Sequence, residues 1–556
     1  MSYVKPRTAL RTHDVENMPP PLENINALEM DVALKEGLLR EGGGWALNNL
    51  ISLGEKIHDP EWIDKASLAN SKVPELKRFD RFGQRVDTVE FHPAWHDVMG
   101  LAWEHEVHAM PWIHNRPGGH VARGAAEILF AQLECGVLCP TDITYGIVPM
   151  LRKQPELAKQ WEALMLSTKY DPRPIPHWEK SGISIAFTST EKQGGSDIRR
   201  NSTFAKPTGK SGPGEEYLLT GHKWFCSAAG ADVIFVVAQT TKGPGCFLVP
   251  RWLPDGTRNP ISLERLKDKL GNKSNASTEL EFEGTHGWLV GEEGRGIPTV
   301  MEFMLHTRFG CALIPTGMMR QALSQAMHHC SHRTAFQKRL IDQPLMKNVL
   351  ADMAIESEAA TTLMMRVAKA FDASSTDESE RAFGRITVAV AKYWLNKRVV
   401  SVVHEAMETL GGVGYIEESV IPRIYREAPI HGIWEGPGNV ISLDILRAFR
   451  KEPLAGEAFF AELDDVRGAD RRLDATIDQV KKLVFDDNMP EQDARYLAER
   501  MAVAMQASQL IKHAPSAVAD AFCLTRLEGK CGYAFGSMPN SVDMDAIIQR
   551  AWPAAN

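Results

Sequence analysis

The 556-residue sequence predicts an α+β protein: a helical N-terminal domain, a middle β domain, a helix bundle, and an additional helical domain at the C-terminus. Three observations carry this prediction. Apolar residues recur at helical spacing from about Asp31 to Glu179 and again from about 297 onward. Between 181 and 290 the apolar runs become short, β-rich and separated by glycines. After Arg450 helical spacing continues, most clearly in "YLAERMAVAMQASQLIKH" (496–513). The expected domains are 1–180, 181–290, 291–449 and 450–556.

The elements follow in order. Residues 1–30 are proline-rich and weakly periodic, the pattern of an extended arm. "EILFAQLECGVLC" (127–139) reads as one apolar helical segment, and "PWIHNRPGGH" (111–120) as a break between helices. In the middle region, "EYLLTGHKWFC" (216–226) shows a Thr-Gly turn ahead of an aromatic stretch. "DVIFVVAQT" (232–240) and "GCFLVP" (245–250) read as buried strands. "TELEFEG" (278–284) alternates Glu with Leu280 and Phe282, the period of a half-buried strand. Two long helices are predicted at 344–373 and 385–412, the second ending at a Gly-Gly stop. Helices of that length need apolar partners, hence a bundle.

Composition narrows the function. The chain is 44% hydrophobic and 24% charged, with a net charge of −8, which removes any overall electrostatic drive toward nucleic acid or an anionic membrane. The first residues lack the apolar core of a secretory signal, and "DVIFVVA" is too short to span a bilayer. Eight cysteines lie scattered without a CxxC pair, which fits a reducing cytoplasm.

Five stretches carry candidate chemistry. "TSTEKQGGSD" (188–197) sets the hydroxyls of Thr188, Thr190 and Ser196 around Gly195. Hydroxyls and backbone N–H groups at such a turn suit a flavin edge or a pyrophosphate, and an ordinary capped turn explains them as well. In "HKWFCSAAGAD" (222–232), Trp224 and Phe225 precede Ser227; an indole here packs on a flat ligand or simply in a core. Arg333, Phe336 and Gln343 stand ahead of a helix, where an Arg binds phosphate or decorates a solvated turn. Gly411, Gly412 and Gly414 permit close backbone approach, or only cap a helix. In "IWEGPGN" (433–439), Glu435 lies between Trp434 and Gly436, with Asn439 following. A carboxylate desolvated beside an indole is a general base, while a carboxylate before a helix also favours the dipole. No metal site is expected: His328, His329 and His332 in "HHCSH" are not expected to converge, and "HEVH" (105–108) lacks zinc-protease spacing. "GEEGRGIP" (291–298) lacks the Lys-Ser/Thr ending of a phosphate loop.

The order of these motifs, from TE-x-x-GSD through W-x-x-S, R-x-x-F, L-GG-x-GY and EG, resembles the acyl-CoA dehydrogenase family over about 120–449. "LVPRWLPDGTRNPISLERLKDKLGNKSNASTELEFEG", "QPLMKNVL" and "IWEGPGN" resemble its AidB-like, alkylation-response flavoprotein subfamily over nearly the whole chain. The resemblance implies FAD as cofactor, an acyl-CoA-like small molecule as substrate, and a homotetramer built as a dimer of dimers. It implies that Thr188, Thr190, Gly195, Ser196, Trp224, Phe225, Ser227, Trp434, Gly436 and Asn439 surround the flavin. It further implies that Arg333, Phe336 and Gln343 reach the FAD of a neighbouring subunit, that Gly411, Gly412 and Gly414 approach its adenosine half, and that Glu435 is the catalytic base. The implied reaction is α,β-dehydrogenation of an acyl-CoA thioester, with hydride leaving for flavin N5. The alternative is a DNA-binding flavoprotein with little dehydrogenase turnover; against it, residues 451–556 hold 12 Lys/Arg and 17 Asp/Glu, a net −5. Three positions depart from the family pattern: Gln337 stands for its Gly, Glu408 for its Gln and Pro437 for its Thr.

Overall fold

The computed structural model describes residues 12–486 and 489–553. Residues 12–25 lack helix and strand; the part of the predicted arm at residues 1–11 lies outside the described residues. Helices then follow at Val32–Arg40, Leu47–Ile57, Pro60–Ser71, Pro93–Glu104, Gly119–Phe130, Leu138–Leu151 and Pro155–Met165.

This region departs from the helical prediction twice. Glu75–Phe79 and Arg85–Glu90 form an antiparallel hairpin, with Gly83 at φ 77° in its turn. Its few apolar residues stand three apart (Leu76 and Phe79, Val86 and Val89), so no alternation announces the strands; Leu76 and Val89, paired across the hairpin, pack on the β domain. The apolar stretch 127–139 is also broken: one helix ends at Phe130 and the next starts at Leu138. A side chain on Gly136 would overlap the Ser274 hydroxyl, so the chain turns there to admit a loop of the β domain.

The β domain is a seven-stranded sheet. Phe204–Pro207, Glu216–Cys226, Thr278–Val290, Gly243–Pro250 and Val233–Thr240 pair in a closed ring, with Ile185–Thr188 parallel to Val233–Thr240 and Ile261–Leu266 against Thr278–Val290. The Thr-Gly turn expected near 220 does not form. Glu216–Cys226 is one strand, and Gly221 (φ 144°) lets Thr203 approach, since a Cβ would lie 2.6 Å from its Cα.

Three long helices follow, Gly296–His332, Pro344–Ala373 and Glu378–Leu410, and then Gly438–Lys451. Asp372, near the end of the second, accepts from the His120 N–H at 2.8 Å and the Val121 N–H at 3.1 Å, capping the helix Gly119–Phe130. Beyond 451 come Pro453–Asp464, Arg471–Val484, Ala494–His513 and Met544–Ala551. Leu497, Met501 and Met505 join the same apolar core as Leu363 and Val399, so these helices pack on the bundle. Among the described residues, no helix is long and apolar enough to cross a membrane.

Candidate functional site

The loop after Ile185–Thr188 is organised from beneath. Glu191 is 1% exposed, and its carboxylate accepts from Lys223 Nζ (2.7 Å), Gln193 Nε2 (2.6 Å), Ser202 N (2.6 Å), Ser202 Oγ (2.9 Å) and Thr203 N (3.1 Å). These bonds and the Lys223 charge outweigh burial and hold the carboxyl well below its usual range. Burial draws Lys223 down to about 8, against the pull of Glu191. Glu191 is therefore a scaffold for the turn. Asp197 begins the short helical turn Ile198–Arg200, but its side chain makes no capping bond. On the outer side, Thr190 and Gly195 meet closely, and a Cβ on Gly195 would lie 2.7 Å from Thr190 Oγ1. Ser196 is exposed.

This loop is pinned to the strand Glu216–Cys226. The Trp224 N–H donates to the Thr190 carbonyl at 2.8 Å, and Thr188 Oγ1 donates to the Phe225 carbonyl at 2.8 Å. Neighbouring residues of a strand point to opposite faces. The Trp224 ring is half-buried, with Lys267 Nζ 3.2 Å from its centroid. The ring left open is Phe225, 46% exposed, near half-buried Ser227.

Glu435 stands before the helix Gly438–Lys451, in a left-handed conformation (φ 55°) that is costly for a residue with a Cβ. Gly436 follows at φ 107°. Two buried cations hold this turn. Arg308 Nε donates to the Glu435 carbonyl at 3.1 Å while its Nη1 pairs with Asp444 at 2.8 Å; Lys392 Nζ donates to the Gly436 carbonyl at 2.8 Å. Burial raises the Glu435 pKa above its ordinary 4.5, and Arg308, Thr307 and Lys392 pull it back. Beside it, the buried Trp434 Nε1 has no hydrogen-bond partner among the described residues. Asn439 is exposed.

The helix Leu138–Leu151 connects the two halves. The Cys139 thiol lies within hydrogen-bonding reach of Ser227, and Asp142, one turn on, adds to the field at Glu435. Residues three apart share a helix face. The turn Cys139–Asp142 is thus influenced by Ser227 of the β domain and, through Asp142, acts on the charge of Glu435 in the bundle. Asp142 belongs to a buried cluster: Arg123 Nη2 lies 2.5 Å from Asp142 Oδ1 and Arg123 Nη1 2.7 Å from Glu127 Oε2. Burial pushes both carboxyls above their usual range, against Arg123. A Cβ on Gly310 would overlap Asp142, so Gly310→Ala is expected to cost about 2 kcal/mol or more, read as a lowered Tm.

Other predicted site residues lie elsewhere. Arg308 and His332 are 24 residues apart on one helix, about 36 Å along its axis, so the R-x-x-F segment stands far from Glu435. Thr334–Ala335 and Lys338–Arg339 form a small hairpin there; Phe336 (φ 50°) and Gln337 (φ 67°) are its turn, and Phe336 is 93% exposed. Gln337 thus holds a conformation that suits the family's Gly. Arg333 Nη1 donates to the Asn17 carbonyl at 2.5 Å, and Gln343 Nε2 to the Ala335 carbonyl at 2.9 Å. Gly411, Gly412 and Gly414 follow Leu410, 18 residues and about 27 Å beyond Lys392 on its helix. Gly411 and Gly412 have open space, while Gly414 packs on the Met407 carbonyl. Glu408 is exposed, 3.5 Å from His404. The single constellation of the sequence therefore divides into a group near Glu435 and a group at the far end of the helices.

Among the described residues, no group of three or more His, Cys, Asp or Glu side chains is placed to hold a metal. The His328 and His332 rings, one helical turn apart, lie 4.4 Å from each other, each with a nitrogen taken by a backbone carbonyl. In the C-terminal segment, Arg467 and Lys481 pair with Asp464, and Arg472 with Asp470 and Asp520. Thr307, Arg308, Asp142 and Lys392 were not among the candidates. The available signal was a charge inside an apolar helical run, as in "AVAKYW" around Lys392.

Comparison with known proteins bears on this geometry. Residues 17–172 match the adaptive response protein AidB N-terminal domain, 186–285 the acyl-CoA dehydrogenase middle domain, and 294–449 the acyl-CoA dehydrogenase C-terminal domain. The chain is 42% identical to AidB of Escherichia coli (strain K12) over 528 residues, 94% of this chain and 96% of that one. It resembles the solved structure of Caenorhabditis elegans ACDH-11 in complex with C11-CoA, at TM-score 0.82 and 24% identity, covering 99% of this chain and 95% of the other. An acyl-CoA dehydrogenase complexed with FAD from Bacillus anthracis shares the fold at TM-score 0.63 and 17% identity, over 83% of this chain and 86% of the other. With the domain matches and the near full-length identity, the chain belongs to the acyl-CoA dehydrogenase family of oxidoreductases acting on CH–CH groups, and is AidB-like within it.

Proposed function

We propose that this protein is an FAD-dependent dehydrogenase that removes the α-proton and a β-hydride from an acyl-CoA thioester, with Glu435 as the base. The observation that carries this is the strained, desolvated Glu435 on a turn held by Arg308 and Lys392 through its backbone carbonyls. The residues present fit FAD: Phe225 is an exposed aromatic ring beside Ser227, and Trp434 Nε1 is a buried donor without a partner among the described residues, beside Glu435. Thr188, Thr190, Gly195 and Ser196 would hold it at the loop, with Trp224, Phe225 and Ser227 from the strand and Gly436 and Asn439 from the bundle. FAD, when bound, supplies the hydride acceptor. An α-proton of a thioester is weakly acidic, so the base needs both a raised pKa and a position fixed before the substrate arrives. Burial supplies the first, and the two cations on the Glu435 and Gly436 carbonyls supply the second.

The direct test is the spectrum of the purified protein. A flavin absorbance that bleaches on anaerobic addition of C11-CoA is expected; a flavin-free chain, or a flavin indifferent to acyl-CoAs, would sink the proposal. The pH profile of kcat/KM supplies a second check. Glu435 must be ionised to act, and its pKa is raised, so the acid limb is expected above 4.5.

Arg333, Phe336 and Gln343, with Gly411, Gly412 and Gly414, stand too far along the helices to meet the same flavin edge. They fit a role toward the FAD of a neighbouring subunit in a homotetramer, to be checked by the mass of the particle in solution. Eight free cysteines support a reducing, cytoplasmic setting. The alternative, DNA binding in the alkylation response, has its basic side chains at 467, 472 and 481 already paired with aspartates. Duplex binding that weakens with salt near physiological ionic strength would favour it.

A further inference from the structure

Lys392 is 2% exposed, in the helix Glu378–Leu410, and among the described residues it forms no ion pair. Removing an ammonium from water without a carboxylate partner is expensive, so its place needs a reason. The other cation at the turn, Arg308, is answered by Asp444, which also takes Arg385 at 2.9 Å. Glu435 likewise has no ion-pair partner within bonding distance among the described residues. A buried ammonium and a half-buried carboxylate are thus left without ion pairs among the described residues, and one turn joins them, where Lys392 Nζ donates to the Gly436 carbonyl at 2.8 Å. That carbonyl belongs to a pair of residues with positive φ, 55° and 107°, a conformation that must be held from outside.

We propose that Lys392 is a positioning residue for Glu435: its ammonium holds the Glu435–Gly436 turn through the Gly436 carbonyl and supplies the buried positive charge that the carboxylate answers. The groups facing Glu435 are Arg308 and Thr307 from the helix Gly296–His332, Asp142 from Leu138–Leu151, and Lys392 itself. Those facing Lys392 are Cys311, Glu435, Arg308 and Lys397. Arg308 binds the Glu435 carbonyl and is the larger positive influence on its carboxylate while also pairing with Asp444; Asp142 acts in the opposite sense; Lys397 is more exposed, on the same helix as Lys392. Both cations act on Glu435 and hydrogen-bond its turn, Arg308 the more strongly, and Lys392 is the one that does so with no ion pair of its own among the described residues.

The proposal rests on Glu435 as the base, and its test keeps the two apart. Infrared difference spectra of the flavin-loaded protein, with Glu435→Gln identifying the band, report ionisation of this carboxyl without turnover. Lys392→Met, which keeps length and removes charge, is expected to move the midpoint up by about one pH unit, with flavin content retained. Lys392→Gln, which keeps a donor for the carbonyl, is expected to move it in the same direction, and Lys392→Arg to restore it. If Lys392→Met does not fold, Lys392→Gln decides; an unmoved midpoint in whichever folds overturns the proposal. Turnover of C11-CoA separates the parent reading. Activity retained in Glu435→Gln removes Glu435 as base, while activity lost there with an unmoved midpoint in Lys392→Met removes Lys392 alone.

Discussion

Glu435→Gln is expected to lower kcat/KM for acyl-CoA dehydrogenation by about 10²–10⁴-fold, the usual contribution of a positioned general base, while flavin absorbance is retained. The substitution changes little else. The Glu435 carbonyl still accepts from Arg308 and the Gly436 carbonyl from Lys392, so the turn keeps its ties. Glutamine is near in size and carries no charge, so it lightens the desolvation that raises the Glu435 pKa. Folding and cofactor content should therefore be preserved or slightly improved. Stopped-flow reduction of the flavin by C11-CoA isolates the chemical step from product release. A variant that reduces its flavin at the parent rate would show that the proton goes elsewhere.

Glu191→Ala is expected to be the most damaging single change in the β domain, at about 3–5 kcal/mol, because it strands a buried cation. Lys223 and Glu191 are both fully buried at 2.7 Å, and the carboxylate also organises Gln193, Ser202 and Thr203. Its loss frees the turn that carries Thr190, Gly195 and Ser196, so flavin release is expected before global unfolding. Two measurements check this: the Tm of the loaded protein and the temperature at which flavin fluorescence appears. Adding Lys223→Met to Glu191→Ala is expected to recover part of the loss, since the stranded charge goes too. The pH dependence has a definite sign. The Glu191 pKa is depressed by folding, so its stabilisation is present above the ordinary 4.5 and is lost as pH falls through the folded value. The gap between parent and variant should therefore narrow in acid. A gap unchanged from neutral pH down to strongly acidic conditions would contradict the ionic account.

Much of this architecture is legible along the chain because its signals are local. The helix Pro344–Ala373 coincides with its predicted range, since apolar spacing and a proline at the first turn define it without reference to neighbours. The strand Thr278–Val290 shows its alternation for the same reason. The failures are places where another segment decides. The Thr-Gly pair at 220–221 looks like a turn, but Thr203 packs where a side chain would stand and the strand runs on. The hairpin 75–90 is mostly polar and shows no alternation, and its place follows from the β domain on which Leu76 and Val89 pack.

The candidate site divides along the same line. By itself, the sequence determines the succession of helical and β segments, the loop with Thr190, Gly195 and Ser196, and the carboxylate at 435 beside an indole, because periodicity and turn chemistry act over a few residues. Only the tertiary structure decides that Arg308, 127 residues away, holds the Glu435 carbonyl, and that Lys392 reaches Gly436 from 44 residues away. It also decides that Glu191 lies beneath its loop on Lys223, and that Phe336 and Gly411 stand a helix length from Glu435. The physical reason is burial. The pKa of a carboxylate and the standing of an unpaired lysine depend on which charges share the same low-dielectric volume, and that volume is assembled from segments far apart in the chain.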